Sequence, residues 1–174
     1  VHIVPKVKEY ANEAMEKRRQ NTHLTRDESA SIYLYTMPVD FFQRLSEALR
    51  FKNPEALKPW FDFLKLFITA LKKLPSSKIS VIWRGVGDNF GEEFAEGSEH
   101  TWWSINSCSS NQNAARCFAD FKGTLFSIHA INGKDISTYS ENPQEKEIVL
   151  MPGTRLRVKS AWPSDLSTIV LEEW

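Results

Sequence analysis

Between Pro5 and Pro75 apolar residues recur at helical spacing, and beyond Pro75 they give way to short β-branched and aromatic runs. Val7, Tyr10, Ala11, Ala14 and Met15, set among charged residues, predict an amphipathic helix from Pro5 to about Arg19, with Pro5 tolerated in a first turn. Thr25 followed three residues later by Glu28 is a capping box, and Ala30, Tyr33, Leu34 and Met37 carry a second helix to Pro38. Val39 to Phe51 repeats the pattern through Phe41, Phe42, Leu45, Ala48 and Leu49. Asn53-Pro54-Glu55 then offers a cap, a first-turn proline and an acid near the positive end of the helix dipole. The longest helix follows, with Leu57, Trp60, Phe61, Leu64, Phe67, Ile68 and Leu71 as its apolar face, Lys72 and Lys73 near its end, and Pro75 as its stop. The aromatic stripe Trp60, Phe61, Phe63 and Phe67 reads as core rather than as a ligand surface.

After Pro75 the pattern predicts strands near Ile79 to Trp83, Thr101 to Ile105, Leu125 to Ile131, Ile148 to Met151, Arg155 to Ala161 and Thr168 to Glu172. A short helix is expected near Gln112 to Phe121. This is an α+β chain: a helical N-terminal part over 1–75 and a β-rich core over 76–174 within a single domain. The one seam, Pro75 to Lys78, is too short to serve as a flexible linker.

A chain of 174 residues with 41% apolar residues can bury its own core, which agrees with one domain. Its 22 basic and 22 acidic residues cancel, so bulk charge points to no nucleic acid and no anionic membrane. No apolar run approaches the roughly 20 residues that span a bilayer, and Val1 to Tyr10 carries Lys6, Lys8 and Glu9, unlike a signal peptide. Cys108 and Cys117 have neither metal-ligand spacing nor a disulfide framework, which predicts no metal and leans towards a reducing, cytoplasmic setting while leaving the localisation open.

Three local motifs carry chemistry. In Ile79-Ser-Val-Ile-Trp-Arg84-Gly85 a strand ends in an arginine able to make two parallel hydrogen bonds to a phosphate or carboxylate, and in a glycine that admits close approach of a ligand; an arginine paired with a core-edge acid would look the same. In Trp102-Trp103-Ser104-Ile105-Asn106-Ser107-Cys108-Ser109 a strand runs into hydroxyls, of which Ser107 or Ser109 could orient a carboxylate or a ribose hydroxyl, although serines after a strand also simply form loops. In Tyr139 to Thr154 a polar loop precedes the apolar run Ile148 to Met151. Strand alternation would put Glu145 and Glu147 on one side and Lys146 on the other. Two carboxylates facing one spot suit a reaction in which positive charge develops on a sugar carbon, one stabilising an oxocarbenium-like centre and the other taking a proton from the nucleophile. Glu-x-Glu is equally at home on a solvent face.

Taken in order, Arg-Gly, Ser-x-Ser and Glu-x-Glu resemble the arginine, serine and glutamate group of the arginine-specific mono-ADP-ribosyltransferase family, in its toxin-like and eukaryotic ecto-type members. The likeness extends through Gly133-Lys-Asp-Ile136 to Ser140, through Glu145-Lys-Glu147-Ile-Val-Leu-Met-Pro-Gly-Thr154 and through Arg155-Leu-Arg-Val158. Leu24-Thr-Arg-Asp-Glu28 to Thr36 and Trp60 to Leu74 are similar to that family's helical lead. The resemblance implies a helical part packed on a mostly antiparallel split sheet. It also implies transfer of ADP-ribose from NAD to an arginine of a target protein with release of nicotinamide. Arg84 would grip the NAD phosphates, the Gly85 backbone would hold the carboxamide, and Ser107 would hydrogen-bond Glu147, which stabilises the cation left as nicotinamide departs. Glu145 would orient and deprotonate the acceptor. Phe118, eleven residues beyond Ser107, would stack on nicotinamide, with a core role as the alternative. Tyr139 would contact the target protein, with an exposed loop aromatic as the alternative. Where the family commonly has Ser-Thr-Ser, this chain has Ser107-Cys108-Ser109, which keeps both hydroxyls. An NAD glycohydrolase on the same scaffold and a non-catalytic interaction module are the rival functions.

Overall fold

Thr25 caps a helix as its spacing requires. Its hydroxyl accepts from the Glu28 amide at 3.3 Å, and a Glu28 carboxylate oxygen accepts from the Thr25 amide at 2.8 Å. The computed structural model of the chain describes residues 4–20, 23–50, 54–162 and 166–174. These fall into two compact units, Val1–Pro75 with Ile136–Gln144, and Ser76–Asp135 with Glu145–Trp174. The segment 136–144, which the sequence pattern groups with the β-rich half, thus belongs with the helices.

The helical unit contains α1 (Val7–Lys17), α2 (Arg26–Thr36), α3 (Phe41–Arg50), α4 (Pro54–Leu57) and α5 (Phe61–Lys73). The expected single long helix is interrupted: a 3-10 turn over Lys58–Trp60 separates α4 from α5. Pro59 is the cause, because it lacks an amide hydrogen and disfavours the α conformation at Lys58. The expected cap at Asn53 lies outside the described residues. Trp60 and Phe67 are buried as the stripe predicts, but the shifted helix start leaves Phe61 50% exposed. Phe41 packs edge-on against Trp60 and Phe63, with centroids 5.2 and 4.7 Å away, and Tyr35 stacks on Phe67 at 4.6 Å. Lys73, at the end of α5, closes the unit by pairing with buried Glu28 of α2 at 2.7 Å.

In the second unit the strands are β1 (Val81–Val86), β2 (Glu99–Trp102), β3 (Asn106–Ser109), β4 (Thr124–His129), β5 (Lys134–Asp135), β6 (Glu147–Leu150), β7 (Thr154–Trp162) and β8 (Ser167–Glu173), with α6 (Gln112–Ala119) between β3 and β4. They form one sheet in the order β2-β7-β8-β4-β1-β3-β6-β5, antiparallel except for the β4–β8 pair. β1 and β3 share a single register pair, Trp83 with Ser109, and the sheet is split there. The strand expected over Thr101 to Ile105 already ends at Trp102 as β2, which pairs with β7, and a separate strand, β3, starts only at Asn106 and pairs with β6. Between them the Asn106 amide group donates to the Ser104 carbonyl at 2.8 Å, a local bond that replaces ladder pairing. Strand β5, only two residues long, carries no periodic signal in the sequence. The core is formed by Ile82, Phe126, Ile128, Ile148, Leu150, Leu156 and their neighbours from both sides of the split.

Glu173, the last residue of β8, holds the turn after β4. Its carboxylate accepts from the amides of Ile131 at 2.6 Å and Asn132 at 2.9 Å, and from the Asn132 side chain at 2.8 Å. Removing a buried acceptor leaves its donors unsatisfied, so Glu173→Ala is expected to destabilise the fold by about 2 to 3 kcal/mol, read as a lowered midpoint in urea unfolding. A midpoint equal to that of the parent would mean that water replaces the carboxylate freely. Among the described residues no helix is long and apolar enough to cross a membrane, and no group of three or more His, Cys, Asp or Glu could hold a metal ion.

Candidate active site

Arg84 is the fourth residue of β1, where the antiparallel neighbour β4 sets its register opposite Phe126. Its side chain reaches the other way, toward β3, and one guanidinium nitrogen donates to the Ser107 carbonyl at 2.7 Å. No acid is its partner in that bond, so the guanidinium is oriented without having its charge neutralised there. The Ser107 hydroxyl in turn donates to a carboxylate oxygen of Glu147, the first residue of β6. Ladder pairing of Ser107 with Val149 and of Ser109 with Glu147 sets this register. Three residues from three strands thus form one connected line, guanidinium to carbonyl and hydroxyl to carboxylate.

Gly85 follows Arg84 for a packing reason that spacing alone does not show. A Cβ there would lie 1.9 Å from the Ala115 carbonyl oxygen of α6, and one at Gly123 would lie 2.1 Å from that of Ala119. Helix α6 therefore rests directly on backbone, with alanines as its buried face. Asn111 caps this helix, accepting from the Asn113 amide at 3.0 Å.

Glu145 departs from the expected strand. It ends a 3-10 turn, Pro143–Glu145, and Lys146 takes φ 47°, so the chain enters β6 only at Glu147. Alternation across a strand does not bring the two carboxylates together. The turn is held by Ser109, whose hydroxyl donates to the Glu145 carbonyl at 2.6 Å, and by the Ser110 amide, which donates to the Lys146 carbonyl at 3.2 Å. Glu145 is exposed and Glu147 is 6% exposed, so the pair has one wet and one dry member.

Family membership bears on what this line of residues does. The sequence model described as NAD:arginine ADP-ribosyltransferase matches residues 4–173. The chain belongs to that family. No curated protein matches it by sequence. Among solved structures it resembles the ADP-ribosyltransferase Vis of Vibrio splendidus, in a complex with agmatine, with a TM-score of 0.77 at 16% identity, covering 99% of this chain and 85% of that one. Exoenzyme S of Pseudomonas aeruginosa, bound to human 14-3-3 protein beta and Carba-NAD, gives 0.75 at 23% identity over 97% of this chain and 83% of that one. The eukaryotic mono-ADP-ribosyltransferase ART2.2 gives 0.78 at 20% identity over 98% and 78%. At these identities the likeness shows the fold, and membership of the family makes the protein an ADP-ribosyltransferase that uses NAD.

In this ADP-ribosyltransferase burial pushes the Glu147 carboxyl up from the ordinary 4.5 to about 7. The Ser107 hydrogen bond opposes that rise, neighbouring Glu145 adds to it and Arg84 opposes it. Cys108, between the two serines, is buried with its thiol pushed up to about 12, which makes it core and not a nucleophile. Phe118 is 66% exposed, which removes the core reading: Ala115 and Ala119 hold the buried face of α6 because the close approach at Gly85 and Gly123 has no room for a ring. Tyr139 is 5% exposed, so it is not an exposed loop aromatic, and in this conformation its ring is not offered to a target protein. The sequence pattern does not show two features that shape the site, the left-handed Lys146 and the link from Ser109 to the Glu145 backbone, because neither leaves a local signature.

Proposed function

We propose that the chain is a mono-ADP-ribosyltransferase that moves ADP-ribose from NAD to an arginine side chain of a protein, releasing nicotinamide. The observation that carries this is the buried Glu147 carboxylate held by the Ser107 hydroxyl while Arg84 is tied to the carbonyl of the same serine. A carboxylate kept from water, with its orientation fixed, is suited to a ribose carbon that gains positive charge as nicotinamide leaves. Arg84 supplies the planar contact for the NAD phosphates, the Gly85 backbone the contact for the carboxamide, and Phe118, exposed on α6, a ring for the nicotinamide face. Glu145, exposed beside the buried acid, is the base for the guanidinium. The reading agrees with the agmatine complex of Vis and the Carba-NAD complex of exoenzyme S. The exposure of Glu145 also favours a second reading, NAD glycohydrolysis, because water reaches the acceptor side freely. Incubation with labelled NAD, with and without agmatine, tests both: labelled agmatine is the outcome expected of the transferase, and ADP-ribose alone would overturn it.

The Glu147 pKa gives this reading a pH dependence with opposite signs for rate and stability. The ionised carboxylate is the working form, so kcat/KM for NAD is expected to rise as pH passes through about 7. Folding favours the protonated form, because the folded group keeps its proton over the window from 4.5 to about 7 in which the unfolded one has lost it. Stability from this group is present below that window and lost as pH rises through it. A kcat/KM profile flat between pH 5.5 and 8.5, about the range the shifted group must cross, would count against Glu147 as the ionised group.

A further inference from the structure

The two hydroxyls of Ser107-Cys108-Ser109 lie two apart on β3, on the same face of the strand, but they do different things. The Ser107 hydroxyl goes to the Glu147 side chain, whereas the Ser109 hydroxyl goes to the main chain of Glu145. Ser109 is itself buried and fixed from behind, since its oxygen accepts from the Asn111 amide at 2.9 Å while donating to the Glu145 carbonyl at 2.6 Å. Beside it the Ser110 amide donates to the Lys146 carbonyl, and Lys146 is a non-glycine residue at φ 47°, a conformation that L residues adopt only when their surroundings impose it. The backbone that carries Glu145 is thus held by bonds from the β3–α6 corner.

We propose that Ser109 is a positioning residue for acceptor activation: it fixes the turn carrying Glu145 and so sets the balance between ADP-ribose transfer to a guanidine and loss of ADP-ribose to water. This rests on the transferase reading above. Ser107 serves bond cleavage, and Ser109 serves the choice of what attacks. Without the Ser109 hydroxyl the Glu145 carbonyl loses its buried donor, the Ser110 amide alone is left to hold Lys146 in the left-handed region, and the turn carrying Glu145 is held less firmly. A guanidinium needs a placed base to become nucleophilic, whereas water does not to the same degree.

The test measures agmatine modification and nicotinamide release in parallel. In Ser109→Ala the ratio of modified agmatine to released nicotinamide is expected to fall about fivefold or more, the effect of one lost hydrogen bond, and the KM for agmatine is expected to rise. Ser109→Thr, which keeps the hydroxyl, is expected to restore the ratio. Ser109→Cys, nearly the same shape with a weaker donor, covers the case in which the alanine form does not fold, and its ratio is expected to fall in the same direction. A wild type that releases nicotinamide and modifies no agmatine defeats the arginine reading. If the wild type modifies agmatine and the alanine or cysteine form keeps the wild-type ratio, the positioning role of Ser109 alone is overturned. That role is equally overturned if both activities fall in proportion, because such a pattern belongs to a residue that only stabilises the sheet.

Discussion

Glu147→Gln is expected to abolish nicotinamide release and ADP-ribose transfer together. Glutamine keeps the shape and can still take the Ser107 hydrogen bond, so what is lost is the negative charge that the proposed function sets against the ribose carbon. In a buried site such a charge is not screened by water, and its removal costs roughly 3 kcal/mol or more of transition-state stabilisation, about two orders of magnitude in rate. The fold is expected to survive. Because burial raises the Glu147 pKa, the ionised form strains the folded state above neutrality, and the neutral amide is expected to leave the melting temperature at pH 8 unchanged or raised. Steady-state release of nicotinamide, with the melting curve of the same preparation, decides the matter. A variant retaining half of the parent rate would remove Glu147 from the chemistry.

Glu145→Gln is expected to separate the two half-reactions. Departure of nicotinamide still has Glu147 to stabilise the cation, and water can still attack, so NAD hydrolysis continues while modification of agmatine or protein arginine falls by about a hundredfold. The physical reason is that a guanidinium holds its proton far above neutral pH, which keeps the acceptor non-nucleophilic until a base polarises it. Its exposure suits that task, since Glu145 stands where a macromolecular acceptor can reach it and Glu147 does not. Equal loss of both activities would mean that Glu145 helps build the NAD site through its effect on Glu147. Loss of neither would mean that the acceptor is not arginine.

The helices and the membership of a family are legible in the residues, because caps, periodic faces and motif spacing are local properties of the chain, whereas Arg84, read as a strand end, lies inside β1. Thr25 and Glu28 form their capping box wherever the helix goes. Helical periodicity runs through Pro59 and hides the break that its missing amide hydrogen makes between α4 and α5. What the residues alone left undecided is set by partners far away in sequence. The Glu pair looks like strand alternation, yet Glu145 lies outside β6, because Ser109, 36 residues earlier, takes its carbonyl. For Phe118 the sequence leaves a stacking role and a core role side by side, and the ring lies at the surface because α6 rests on the bare backbone of Gly85 and Gly123. Tyr139 looks like a loop tip and is buried, in a segment that groups with helices 60 or more positions before it. Sequence determined which groups are available for the chemistry, and tertiary structure decided which carboxylate is dry and which is wet, since burial depends on neighbours that no local pattern names.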